Sequence, residues 1–497
     1  MSYRPSARSS RFFALLVASA FTLPACGKNK KGSKGPIQTQ EDAAAKVAEA
    51  KKTAKAATLV ELANKDLEVG RYVSATKRAE EALKTDEKDA DAYTVLGAAR
   101  WRAGDFDGST EAYKKAVELS PKNFGAVLGL ARNLQASGQH AEAAKLQDVL
   151  IEEDKKQVDP RLTKFWSHYS IGDFDSAAKE VDEIFKLLPA KDTLLPLVQA
   201  FAAFVRPLAG KGPFFQVTGA TGSSDANLNA GSGLKYSGAV IGGEFGQVVF
   251  FEGREECLID ADLAKTLKLP EVGKFKPIDG AEEQPIVIVP EIKFGDLKLE
   301  KVPAIARSLE GFAMIGEKPG MVLGRQALQA FGSLAFDFPK HTLSVTKDAP
   351  AAAPEGMVEL PFLLLTVHAF HWPAIPIALN GSDYRFYVYL GGLFPAGVSV
   401  AKKQFLKSGY LPRTVENPED PTNGLKILYV DKLAVGDKQV AGVGAHVLVN
   451  TPPDSGMGDV LTGTGFELGG YLNSALMANW RVTYSLPKGR VYIDTDG

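Results

Sequence analysis

Small and apolar residues recur through the first part of the chain at helical spacing, and the spacing itself repeats. Gly70, Gly104, Gly138 and Gly172 are each 34 residues apart, a period that marks stacked helix–turn–helix units. In the second unit Gly97, Ser109 and Ala116 are small enough for paired helices to approach closely, while Tyr93, Phe106 and Tyr113 fill the space between them. Leu59, Leu62, Ala63, Tyr72, Ala75 and Ala82 support a first unit. Leu130, Ala131, Ala143 and Leu150 support a third, and Phe174, Ala177, Ile184 and Pro189 a fourth. The pattern predicts about four repeats over residues 56–205, with Thr193 to Val205 as a capping helix.

Tyr93, Leu96, Gly97, Gly104, Phe106, Ser109, Tyr113, Ala116 and Pro121 stand where tetratricopeptide repeats carry such residues, and the unit resembles that family. The resemblance implies an α-solenoid whose concave groove takes a protein or an extended peptide. Positions facing that groove by resemblance are Asn64, Trp101, Arg102, Arg132, Gln135, Trp166 and Tyr169. Aromatic and arginine side chains are favoured at interface hot spots. Trp101 and Trp166 have a second reading, in which they pack against neighbouring repeats or the region that follows.

Beyond residue 205 the pattern changes to short alternating or apolar runs broken at glycines, the signature of strands and hairpins. Two stretches look like copies of one unit. Gly242-Gly243, Gln247-Val248-Val249-Phe250 and Phe251-Glu252-Gly253-Arg254 form one series; Asn380-Gly381, Tyr384 to Val388 and Tyr389-Leu390-Gly391-Gly392 form the other. The offset is 138 at Gly243/Gly381 and Gly253/Gly391, 141 at Gly295/Gly436 and 145 at Gly324/Gly469. Each copy ends in a Leu-Gly element, a short helix, a strand and a Pro-Lys turn, at Pro339-Lys340 and Pro487-Lys488.

These landmarks resemble the retropepsin-like aspartic proteases over roughly residues 213–497. The implied fold is a two-lobed, all-β, acid-protease-like domain with short helices, so the whole chain reads as multidomain α plus β. The lobes are expected at 206–347 and 357–497, joined by a Pro/Ala-rich linker at 348–356. Residues 206–235 read as a linker or a loose first hairpin. Catalysis in the family uses two carboxylates sharing a proton. Carried over residue by residue, the expected aspartates fall on Phe251 and Tyr389, with Gly253 and Gly391 kept in the cleft turns. Neither a phenyl ring nor a phenol near its ordinary pKa of about 10 serves as general base at neutral pH. The resemblance therefore implies a degenerate dyad.

Asp260 offers a competing register, but Asp262 to Leu269 already reads as the helix that should come later, with Asp260 or Asp262 as its N-cap. An active aspartic peptidase built on Asp260 would require a dimer, because Asp383 lies at the wrong end of its hairpin.

The N-terminus pairs Arg4, Arg8 and Arg11 with an apolar run, Phe12 to Leu23, too short to span a bilayer. It ends in Leu23-Pro24-Ala25-Cys26-Gly27, which resembles a bacterial lipobox and implies removal of residues 1–25 and lipidation of Cys26. Gly27 favours an outer-membrane anchor, facing the periplasm or the cell surface, and the lysine-rich residues 26–55 read as a flexible tether. With Cys26 lipidated, Cys257 is the one thiol left and no intrachain disulfide can form. Lys plus Arg number 58 against 59 Asp plus Glu, which leaves no footprint for nucleic acid.

No cofactor or metal site is expected. His368 and His371 are three apart in a predicted strand and point to opposite faces. Ser399 lacks a hydrolase elbow, and Gly463-Thr464-Gly465 precedes no nucleotide-binding helix. Cys257 reads as a buried small hydrophobe. The reading is a lipid-anchored binding or scaffold protein of the cell envelope, with peptide in the repeat groove and also in the inter-lobe cleft, where strand addition needs no aspartate.

Overall fold

The computed structural model describes residues 40–228, 235–277, 282–312, 318–367, 370–382, 385–392, 397–401, 404, 408, 427–448 and 468–496. Cys26, His368, Asp383 and Gly463 to Gly465 lie outside them. The chain divides into two compact units, with the boundary in sequence between Ser120 and Pro121.

The first unit is two helix pairs, α1 (Gln40–Glu68) with α2 (Tyr72–Thr85) and α3 (Ala90–Ala103) with α4 (Phe106–Leu119). Asp89 caps α3 by accepting from the amides of Asp91 and Ala92, and Asp105 caps α4 through Gly108. Gly104 ends α3 at φ 87°, a conformation that suits glycine. The small residues act as the pattern requires: a Cβ on Gly97 would stand 2.8 Å from the Tyr113 ring, and Ser109 Oγ donates to Gly97 O at 2.8 Å.

The second unit begins with α5 (Phe124–Ala136), α6 (His140–Glu153), α7 (Val158–Ser170), α8 (Phe174–Leu187) and α9 (Leu195–Leu208). The helix α9 overlaps the expected capping helix and packs Phe201 and Phe204 among Phe165, Trp166, Tyr169 and Phe174. The first β-copy follows as β1 (Gln216–Thr218), β2 (Thr221–Asn227), β3 (Lys235–Ile241), β4 (Glu244–Phe250), β5 (Cys257–Asp260), α10 (Ala261–Thr266), β6 (Gly273–Phe275), β7 (Gln284–Phe294), β8 (Leu297–Arg307), β9 (Met321–Leu323), α11 (Arg325–Leu328), β10 (Ser333–Asp337) and β11 (Thr342–Thr346). The stretch expected as a linker or loose hairpin thus supplies β1 and β2. The second copy comprises β12 (Val358–Pro361), β13 (Leu363–Val367), β14 (Phe370–Leu379), β15 (Arg385–Gly392), β16 (Val398–Ala401), β17 (Ile427–Val435), β18 (Lys438–Leu448), β19 (Gly470–Asn473), a 3₁₀ turn at Ser474–Asn479, β20 (Arg481–Ser485) and β21 (Arg490–Asp494).

Each copy closes six strands into a small barrel. The first runs β3-β4-β9-β5-β8-β7 and returns to β3; the second runs β14-β15-β19-β16-β18-β17 and returns to β14. Parallel and antiparallel neighbours agree strand for strand: β4 with β9 and β15 with β19 are parallel, as are β5 with β8 and β16 with β18. Closure removes the unpaired edges an open sheet would expose. The leftover edge strand β6 lies against α9, where a Cβ on Gly273 would stand 2.4 Å from Pro207.

A six-stranded antiparallel sheet, β2-β11-β10-β20-β21-β12, joins the copies. Its central pairing sets Ala335 opposite Thr483. These two are counterparts when the Pro339 and Pro487 hairpins are superposed, so a local two-fold passes between them.

Candidate functional site

Where the barrels meet, the strand pairings fix which residues are counterparts. Ile241 and Leu379 occupy the same place, each pairing across to the strand before a Gly-Asp turn. From there Phe245 is level with Arg385, because Val240 pairs with Phe245 and Ala378 with Arg385. An independent route agrees: the amides of Gly320 and Gly469 donate to Gln247 O at 2.9 Å and Tyr387 O at 2.7 Å. Both routes place Tyr389 level with Val249, Gly391 with Phe251 and Gly392 with Glu252.

The register taken from the sequence is therefore corrected by two residues in the second copy. Its hairpin turn is two residues longer, which the matching glycines at 253 and 391 conceal. The Leu-Gly element is corrected as well. Gly324 precedes α11 and Asn473 precedes the Ser474–Asn479 turn, so Asn473 rather than Gly469 is the counterpart of Gly324.

In this register the counterpart of Phe251 is Gly391 and that of Tyr389 is Val249. Phe251 is half-buried, its ring edge-on to Phe312 at 6.1 Å, and its amide donates to Leu323 O at 3.0 Å. Tyr389 stands edge-on to Tyr471 at 5.9 Å. Burial, with the Glu252 charge adding and Lys235 opposing, pushes the Tyr389 phenol up to about 12.

The carboxylate nearest this level is Glu252, and it is already engaged. It accepts from Lys235 Nζ at 2.7 Å, with both residues almost fully buried. The Lys235 ammonium also lies 5.4 Å from the ring centre of Phe336 and 5.0 Å from that of Tyr484, two counterpart aromatics flanking the local two-fold. Burial opposes the Lys235 charge, but Glu252 more than offsets it and raises the pKa above the ordinary lysine value. Burial likewise pushes Tyr484 up to about 12, although Lys235 pulls the other way. The buried charge beside the two-fold is thus a Lys235–Glu252 pair.

Asp260 is a helix cap. Its Oδ1 accepts from the amides of Asp262 at 3.1 Å and Leu263 at 3.4 Å, and Oδ2 from Leu309 at 3.4 Å. Lys318 lies 3.2 Å away. Burial raises the Asp260 pKa, but Lys318 and the amides of Leu309 and Asp262 outweigh it and hold the carboxyl below its ordinary range. Its counterpart is Ala401, because both amides donate to the matching Gly320 and Gly469 carbonyls.

Of the groove positions in the first unit, Asn64 and Arg102 are half-exposed, whereas Trp101 is buried edge-on against Phe106 at 4.6 Å. In the second unit Arg132 is exposed and Gln135 Nε2 donates to Thr163 O and Ser167 Oγ. Trp166 packs on Phe201 at 4.7 Å. Tyr169 is fully buried and donates its hydroxyl to Glu256; burial first, and then that carboxylate, raise its pKa. Trp101, Trp166 and Tyr169 are thus used in packing, the second of the two readings open for the tryptophans.

Tyr169 belongs to a polar seam between the helical turns and the first barrel. Arg325, the first residue of α11, donates to Ser170 Oγ and Glu255 Oε1, and its second terminal nitrogen lies 2.8 Å from His140 Nε2. Gln326 donates to Tyr169 O at 2.8 Å and Gln329 to Gly138 O at 3.0 Å. Arg254 holds Glu256 at 3.0 Å. The sequence names Tyr169 only as a groove position, Gly138 only as a turn of the repeat and Arg254 only in the first copy's turn; it does not bring His140, Ser170, Glu255, Glu256, Arg325, Gln326 or Gln329 together.

Among the described residues no group of three or more His, Cys, Asp and Glu side chains is placed to hold a metal, and no helix is long and apolar enough to cross a membrane. Burial pushes the Cys257 thiol up to about 12, far from a reactive thiolate. A cavity of about 360 Å³ lies between α8, α9 and β6, lined by residues including Phe185, Ala202 and Pro207.

Tetratricopeptide repeat families match residues 60–124 and 100–164, so the N-terminal region carries such repeats. No curated protein matches the chain. Similar solved structures include a tetratricopeptide repeat protein from Parabacteroides merdae ATCC 43184, 18% identical, covering 31% of this chain and 60% of that one, with a TM-score of 0.28. YrrB, described as having an unusual peptide-binding site, is 18% identical over 33% of this chain and 80% of its own, TM-score 0.28. MamA from Desulfovibrio magneticus RS-1 is 14% identical over 31% and 84%, TM-score 0.28.

Proposed function

We propose that this protein is a lipid-anchored scaffold of the bacterial cell envelope, whose helical repeats bind a protein or peptide and whose β-region is a retropepsin-like domain without proteolytic chemistry. Two closed six-stranded barrels related by a local two-fold support the resemblance. The observation that carries the loss of chemistry is the pair of counterparts Phe251 and Gly391, with Glu252 bound to Lys235 beside them. Among the described residues no second carboxylate stands beside Glu252 to share in activating water. The charged, apolar and Ala-Cys series at the N-terminus supports anchoring through Cys26, and Gly27 supports the outer membrane. Asn64 and Arg102 are the groove positions of the first unit that stay half-exposed, where a partner can reach them.

Two measurements test the proposal. Incubation with a peptide library at acid and neutral pH should yield no pepstatin-sensitive cleavage; cleavage that disappears in Asp260→Ala would overturn it. Co-purification from envelope extracts should lose its partner in Asn64→Ala/Arg102→Glu, and a partner retained unchanged would remove the repeat groove from the assignment.

A further inference from the structure

We propose that the cavity between α8, α9 and β6 is a binding site for a free single-chain carboxylate, an apolar tail that ends in one anionic head. Its volume is about 360 Å³, toward the small end of ligand pockets, which begin near about 300 Å³. The walls are apolar: Phe185 comes from α8, and Ala202, Ala203 and Pro207 come from α9. The two alanines leave the space open, because methyl groups stand where longer side chains would fill it.

Both flanks of the cavity are fixed. Arg206 of α9 donates to Asp182 Oδ1 of α8, from Nε at 3.1 Å and from a terminal nitrogen at 2.7 Å. Its guanidinium carbon also lies 4.9 Å from the centre of the Phe185 ring. On the other flank Phe275 of β6 meets Phe204 edge-on at 6.2 Å, and a Cβ on Gly273 would stand 2.4 Å from Pro207. The space therefore exists before a ligand arrives, and binding needs little rearrangement.

The charge of the lining selects the head. Arg206 and Lys274 are its cations, and no carboxylate lines the cavity among the described residues. Asp182 neutralises Arg206. Lys274 is exposed, stands opposite Pro285 in the pairing of β6 with β7, and has no hydrogen-bond or ion-pair partner among the described residues. One uncompensated positive charge thus sits at the rim of an apolar space. A carboxylate matches it one for one, whereas a phosphate monoester carries about −1.5 to −2 at neutral pH. Each methylene buried against Phe185 and the alanines strengthens binding by about fourfold, and the exposed ion pair adds about fivefold at most.

The test is isothermal titration calorimetry on the full chain in a Cys26→Ser background, which carries no acyl chain of its own. The probes are decanoate, octanoate, decanol, decyltrimethylammonium and decyl phosphate, each kept below micelle formation. Decanoate should bind once per chain, about fivefold tighter than decanol and roughly fifteenfold tighter than octanoate. Decyltrimethylammonium should bind more weakly than decanol. Lys274→Gln should bring decanoate to the affinity of decanol and leave decanol unchanged; added salt should narrow the same gap in the wild type. Ala203→Trp, which fills the cavity from a half-buried position, should abolish binding of every tail. Decanoate that does not saturate, or binds no tighter than decanol, would overturn the proposal, as would a preference that survives Lys274→Gln or binding that survives Ala203→Trp. Decyl phosphate binding tighter than decanoate overturns the carboxylate assignment. Circular dichroism checks that Ala203→Trp is folded; if it is not, Lys274→Gln, at an exposed position, decides alone.

Discussion

The two barrels share one strand order and one set of pairings, yet they use their matching positions for different ends. The first carries Lys235, Glu252 and Arg325 where the second carries Pro373, Gly392 and Ser474. Its charges anchor it to the local two-fold and to the helical turns. The second copy meets those turns through bare backbone: a Cβ on Gly138 would stand 2.1 Å from Leu486 O, and one on Gly489 would stand 2.5 Å from Ser137 O. The equivalent hairpin of the first copy, at Pro339-Lys340-His341, is exposed. A common frame can therefore be held once by ion pairs and once by close packing.

The largest expected effect tests the charged half of this contrast. Glu252→Leu leaves Lys235 buried without its partner and should lower stability by about 3–5 kcal/mol, seen as a shift in the urea midpoint. Lys235→Met/Glu252→Leu should recover most of that loss. An unchanged midpoint in the single variant would mean that the barrels are held alike.

The backbone half is tested by Gly138→Ala, at φ 79° and against Leu486 O; the expected cost is about 2–3 kcal/mol. Gly70→Ala, at φ 75° and 3.7 Å from the nearest atom, should cost about 1–2 kcal/mol from the conformation alone. Equal losses in thermal melts would erase the contrast.

The smallest effect is at Asp260, where Asp260→Ala should cost about 1 kcal/mol at neutral pH through the lost cap. The wild-type carboxyl is held below its ordinary range. Its contribution is therefore present above the unfolded value of about 3.9 and is lost as pH falls through the lower folded one. Denaturation of both forms at pH 7 and pH 2.5 should show the gap closing; a gap constant with pH would remove the cap from the account.

Much of the architecture was legible because it depends on local rules. The glycine period follows from turns that need positive φ, and the duplication from hairpins that keep their Gly-Asp and Pro-Lys residues. The register was harder to read, since an insertion in a hairpin turn shifts a whole strand while nearby glycines still match by coincidence. The seam was almost invisible: Arg325 and His140 are 185 residues apart, and no periodicity relates side chains that meet only after both elements have folded. Trp101 and Tyr169 show the same limit, because aromatic residues at groove positions look alike whether they bind a partner or fill a core.

The bridging sheet also sets an order of events during synthesis. Its central partners, β10 and β20, are separated by the entire second barrel, so the first barrel emerges from the ribosome with β10 still lacking its neighbour. At about 5–20 residues per second that interval lasts roughly 7–30 s, long enough for an open strand edge to attract another chain. The time for which nascent protein must be shielded is thus written into the strand order.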